Sequence, residues 1–147
     1  MYRVGHEESE RIRKVIESEK LFRYSIGEEC TTFEKRYAER LGVSHCTLTT
    51  SGTNALTAAL IGVGVGPGCE VIVPACTYMA TAIAVVAAGA IPVIVDIDDS
   101  ITLDPSATEC ALGPRTRAII PVHMWGQVCD MAAFERIAAE HDVVIVE

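Results

Sequence analysis

The 147-residue sequence predicts an α/β fold, a mostly parallel sheet flanked by helices. Three observations predict it. From residue 46 onward, strand-like and helix-like segments alternate five times with short links. The strand-like segments are near-continuous apolar runs (VIV, IPVIV, AIIPV, VVIV) rather than alternating ones, as strands buried on both faces must be. No repeat, low-complexity tract or long linker interrupts the series.

The elements follow in order. Residues 7–20 are strongly charged and carry Ile12, Val15, Ile16 and Leu21 at helical spacing, which predicts an amphipathic helix. An irregular link, 22–26, leads to a second helix over 27–41. Its apolar face holds Phe33, Tyr37 and Leu41, four apart, and Gly42 stops it. Residues 46–49 read as a short strand, 53–63 as an apolar helix, and 70–73 as a strand closed by Pro74. A helix over 77–88 and a strand over 91–96 come next. Residues 106–112 form a weaker helix, 117–122 a strand, 131–141 a helix and 143–146 the last strand. The chain therefore divides into a helical segment, 1–42, and a sheet-forming part, 43–147.

Twenty acidic residues against twelve basic ones give a net charge of −8. Nucleic-acid binding is excluded as an expectation, since phosphate contacts need a basic face. Mean hydropathy is high at +0.30. Gly89 and Pro92 nevertheless break the longest apolar stretches well short of the ~20 residues of a membrane span. The charged N-terminus lacks the apolar core of an export signal, so a cytoplasmic location is expected. The excess of apolar residues points to surface buried against another chain. Six cysteines (Cys30, Cys46, Cys69, Cys76, Cys110 and Cys129) form no Cys-x-x-Cys pair and mostly lie beside apolar segments. Free, reduced thiols and no zinc site are expected.

Several segments have the residues for chemistry. Thr49-Thr50-Ser51-Gly52-Thr53-Asn54 lies between a strand and a helix, where free backbone amides and the positive helix end suit a phosphate group. Simple N-capping by Ser51 or Thr53 needs the same residues, and the local sequence leaves both readings open. The glycines of Gly62-Val63-Gly64-Val65-Gly66-Pro67-Gly68 follow a helix and precede a strand, the reverse of a dinucleotide site, so they read as a helix stop and turn. Tyr78, past the 70–73 strand, is placed either to stack on a flat ring or to sit at the core edge. His123 and Gln127 follow the 117–122 strand at the sheet edge where ligands bind, and a structural hydrogen bond is the alternative for the histidine. Asp96, Asp98 and Asp99 read as a solvated turn rather than a metal site.

In order, the segments FEKRYAERLGVSHCTLTTSGTNAL, GVGVGPGCEVIVPACTYMATAIAVVAAGAIPVIVDID and PRTRAIIPVHMWGQVCDMAAFERIAAEHDVVIVE resemble the DegT/DnrJ/EryC1/StrS family of pyridoxal-phosphate sugar aminotransferases. The resemblance implies the N-terminal part of a fold type I (aspartate aminotransferase-like) large domain. It also implies pyridoxal 5'-phosphate as cofactor. Carried over residue by residue, Gly52 and Thr53 fall where the family holds the cofactor phosphate, and Tyr78 falls where an aromatic residue stacks on the ring. His123 and Gln127 fall at the strand end near the cofactor. Arg23, Tyr24 and Ser25 fall in a stretch that borders the substrate.

Family members continue past the match to VVIVE with an Asp that binds the pyridine nitrogen, and later with the lysine that carries the cofactor as a Schiff base. Lys14, Lys20 and Lys35 are the only lysines here, none at that position. No catalytic residue of the family is therefore expected in this chain, which alone should be inactive. Three readings follow: a split aminotransferase completed by a second polypeptide, a fragment of a longer chain, or a non-catalytic stabilising or regulatory subunit. In the first, a hetero-oligomer built on a dimer would act on an amino donor and a keto-sugar nucleotide or cyclitol. The family also contains dehydratases, so a sugar dehydratase component is the alternative chemistry.

Overall fold

The structure, a computed structural model, describes residues 4–22 and 28–147. These form two compact units, 1–48 and 49–147. The first contains helices α1 (His6–Glu17) and α2 (Glu29–Leu41). Glu8 closes the start of α1, its carboxylate accepting the Gly5 N–H at 2.7 Å. Gly42, at φ 69°, caps α2 in the left-handed conformation that a side chain resists. The helix face predicted for α2 is present, with Phe33 and Tyr37 stacked at 5.4 Å between ring centroids.

The second unit contains α3 (Gly52–Gly62), β1 (Glu70–Pro74), α4 (Ala80–Ala87), β2 (Ile91–Val95), α5 (Pro105–Ala111), β3 (Thr116–Ile119), α6 (Met131–His141) and β4 (Val144–Ile145). Its four strands are all parallel, in the order β2-β1-β3-β4. This is the α/β class that the apolar runs predict. Alternate residues of β1 point to opposite faces, and each face has its own core. Val71 and Val73 join Leu60, Ala84 and Val85 under α3 and α4. Ile72 joins Leu103, Ile119, Phe134 and Ile137 under α5 and α6. Pro92 pairs in register with Val71 in β2, the edge strand, where a residue without an N–H leaves no ladder donor missing.

Helix ends follow side-chain chemistry. Ser51 Oγ accepts the Asn54 N–H at 3.1 Å, and Asp130 accepts the Ala133 N–H at 3.1 Å. Asp104 accepts the Ser106 N–H at 2.8 Å, with Pro105 opening α5.

One predicted element is absent. Residues 46–49 form no strand, and five strands become four. A strand exists through its ladder, and the sheet β2-β1-β3-β4 does not include this segment. The 77–88 helix is shortened to Ala80–Ala87, because residues 75–79 run as a loop out of β1. The 117–122 strand ends early for a similar reason. Val122 opens a loop that turns at Met124–Gly126.

Candidate cofactor site

In this sheet the connection after β1 leads to β2 on one side, whereas that after β3 leads to β4 on the other. The two loops separate at the carboxyl ends of β1 and β3, and a crevice opens between them. Parallel α/β sheets bind ligands at such a switch point. Here the crevice is a cavity of about 710 Å³, lined by Gly52, Thr53, Ala55, Leu56, Thr77, Tyr78, Ala80, Thr81, Val122, Met124 and Glu147.

Its floor at one end is the start of α3. Ser51 takes the Asn54 N–H through its hydroxyl and the Ala55 N–H through its carbonyl, at 3.1 and 3.0 Å. The N–H groups of Gly52 and Thr53 have no hydrogen-bond partner among the described residues. A Cβ added at Gly52 would meet nothing within 4 Å, so the backbone there faces open space. Two free donors at a positive helix end are groups of the kind that suit a phosphate. Capping by Ser51 and phosphate binding by Gly52 and Thr53 are thus compatible, because they use different groups.

The wall opposite comes from the loop after β1. Tyr78 is 80% exposed, although its ring is large and apolar. The ring is left free of this unit's own core. Behind it Thr77 and Thr81 share a hydroxyl hydrogen bond of 2.7 Å, with Thr81 buried at the start of α4. This pair ties the loop to the helix that follows.

His123 and Gln127 are not among the residues that line the cavity. His123 reaches it indirectly, its Nε2 lying 2.8 Å from the Glu147 carboxylate. The Cys129 N–H donates to His123 Nδ1 at 3.2 Å, and Cys129 Sγ donates to the Val122 carbonyl at 3.3 Å. Burial pushes the Cys129 thiol up from its ordinary value. Gln127 is exposed, and its N–H bonds the Met124 carbonyl at 2.9 Å. Tyr24 and Ser25, with Arg23, lie outside the described residues.

Sequence reasoning missed Leu56, Thr77, Thr81, Val122, Met124 and Glu147 as lining residues. The position of each at a strand end or first helical turn was a signal for all but Leu56. No Lys or Arg lines the cavity. The unit 49–147 has eleven Asp and Glu, three arginines and no lysine. All six cysteines are free thiols, as their spacing predicts. No helix among the described residues is long and apolar enough to cross a membrane.

A helix start with two unpaired N–H groups and an exposed aromatic ring lie together at the switch point of a parallel sheet, where α/β units bind ligands. The chain belongs to the DegT/DnrJ/EryC1/StrS aminotransferase family, whose profile matches residues 3–147. It is 44% identical over 124 residues to GDP-perosamine synthase of Caulobacter vibrioides, covering 84% of this chain and 33% of that protein. It is 43% identical over 140 residues to a putative L-glutamine:3-amino-2,3-dideoxy-scyllo-inosose aminotransferase of Streptoalloteichus tenebrarius, covering 94% and 34%. Among solved structures, NtdA of Bacillus subtilis with bound cofactor PMP superposes with a TM-score of 0.85 at 33% identity, covering 97% of this chain and 33% of that one. The chain thus spans about a third of the length of the curated relatives it matches. The family and these neighbours indicate pyridoxal phosphate as the cofactor.

Proposed function

We propose that this chain is the N-terminal, cofactor-holding part of a pyridoxal-phosphate aminotransferase acting on a keto-sugar nucleotide or a cyclitol. In this reading the pyridine-binding Asp and the Schiff-base Lys come from a second polypeptide. The observation that carries the reading is the switch-point cavity, lined both by the start of α3, with its two free backbone N–H groups, and by the exposed Tyr78.

Bound pyridoxal phosphate supplies a carbonyl that takes up an amino group and a ring that accepts electrons. The residues of this chain bind and orient it. Gly52 and Thr53 donate their N–H groups to the phosphate, with the helix end as the positive charge there. Tyr78 stacks on one face of the ring, and the apolar wall of Leu56 and Val122 excludes water from the other surfaces. The cavity lining has no amine to form the Schiff base and no cation to balance a phosphate. Both needs point to groups beyond this lining. The substrate classes are supported by the names of the relatives, one a nucleotide-sugar enzyme and one an inosose aminotransferase.

One experiment tests this reading. The chain is expressed alone and together with the neighbouring reading frame, and absorbance is recorded on the purified protein. A yellow Schiff-base band only on co-expression, with turnover of amino donor and keto substrate, is the expected result. A co-purified complex that stays colourless with added pyridoxal phosphate and shows no turnover removes the split-enzyme reading.

A further inference from the structure

We propose that His123 is a positioning residue that holds the Glu147 carboxylate against the cavity and does not itself touch the cofactor. What that carboxylate faces rests on the cofactor-binding reading above; the hydrogen-bonded pair does not.

Both ring nitrogens of His123 are already committed. The backbone N–H of Cys129 points at Nδ1 from 3.2 Å, so that nitrogen accepts and carries no proton in this arrangement. The ring proton is then on Nε2, 2.8 Å from a carboxylate that can only accept. The direction of both bonds follows from these two facts. The geometry is also fixed from behind. Cys129 is buried and anchored by its own thiol to the Val122 carbonyl. The loop between is pinned by three backbone bonds, Met124 to Val122, Gly126 to His123 and Gln127 to Met124, at 2.9, 3.2 and 2.9 Å.

Glu147 needs such a tether. Its side chain is 56% exposed, and no Lys or Arg of the described residues pairs with it. A long carboxylate in that setting turns freely in solvent. Tied to Nε2, it becomes a fixed acceptor on the cavity wall for a proton-bearing group of the ligand. A histidine acting directly on the ligand would need a free nitrogen aimed into the cavity, and His123 has none.

Two measurements on the full chain test this. Long-range 1H–15N correlation without ligand at neutral pH is expected to show the Nε2–H tautomer. In Glu147→Ala that tautomer persists, held by Cys129, while exchange of the ring proton with solvent speeds several-fold. An Nδ1–H tautomer, or an exchange rate unmoved by Glu147→Ala, overturns the proposal. The second measurement is the affinity for pyridoxamine phosphate, read from the fluorescence of Trp125, the chain's single tryptophan. His123→Gln sets an amide N–H near the place of Nε2 and should bind like wild type. His123→Asn satisfies only the Cys129 side and should bind about tenfold more weakly, as should Glu147→Ala. Equal affinities for the Gln and Asn variants also overturn it. If wild type fails to bind pyridoxamine phosphate while the tautomer and exchange results hold, the cofactor-binding reading falls and the pair stands.

Discussion

The two compact units of the chain differ in where their apolar side chains end up. Among the described residues of the first unit only Ala38 is buried, and Ile12, Ile16, Phe33, Tyr37 and Leu41 are all exposed. In the second unit Leu60, Val71, Ile72, Ile119, Phe134 and Ile137 have essentially no exposure. Charge differs in the same way. The first unit balances nine acidic residues with nine basic ones, whereas the second holds the whole net charge of −8. Amphipathic helices carry an instruction to pack without a specified partner, and a parallel sheet with helices on both faces builds its own core even though Ile83, Val86, Ile94 and Val128 stay exposed. The contrast breaks if the two units respond alike to loss of a large side chain. Phe134→Ala empties a fully buried site in α6 and should cost about 3–5 kcal/mol by urea denaturation. Phe33→Ala removes a ring that is 47% exposed, and should cost less than about 1 kcal/mol.

The same contrast explains what the sequence made legible. Apolar runs such as VIV and IPVIV identify buried strands because their partners lie within the chain, and the sheet is found where they predict. CTLT at 46–49 is a mixed run with two threonines, and it is not part of the four-stranded sheet. Composition reports what a segment can do; pairing depends on what else is present. The Ser51 cap of α3 was legible because capping acts through local backbone geometry. Glu147 was not. Its relation to His123 joins residues 24 positions apart, across β3 and β4, which no local pattern encodes.

Smaller effects sharpen the comparison at the site itself. Ser51→Ala removes the cap of α3 and should cost about 1 kcal/mol in thermal or urea unfolding. It should also weaken pyridoxamine phosphate binding, because Gly52 and Thr53 lose the turn that presents them. Tyr78→Ala should do the reverse. An 80% exposed ring contributes little to stability, so unfolding should be unchanged, while binding weakens about three- to tenfold from lost stacking. Unchanged affinity would remove Tyr78 from the site.

The smallest effect is the pH response, and it separates the units by consequence rather than by size. Among the described residues, each unit has one exposed carboxyl held below its ordinary value by hydrogen bonds. Glu8 is lowered chiefly by the Gly5 N–H, and Asp98 chiefly by the hydroxyl and then the N–H of Ser100. A carboxyl lowered in the folded state adds stability that is present above its unfolded value and lost as pH falls through the folded one. For Asp98 the loss reaches a core. Its turn joins Ile97 to Leu103 in an antiparallel bridge, and Leu103 is fully buried. The turn also holds Ile101 at φ 64°, a conformation that a β-branched residue resists and that the Asp98 bonds help to hold. The melting temperature of Asp98→Ala should therefore lie below wild type at neutral pH and converge with it as the solution is acidified below the ordinary carboxylate range. For Glu8 the bonds close the first turn of a helix with no buried residue. Glu8→Ala should lower helical circular dichroism slightly at neutral pH and leave the main melting transition in place. A shifted main transition would mean that α1 is tied into the cooperative core, and the division between the units would fail.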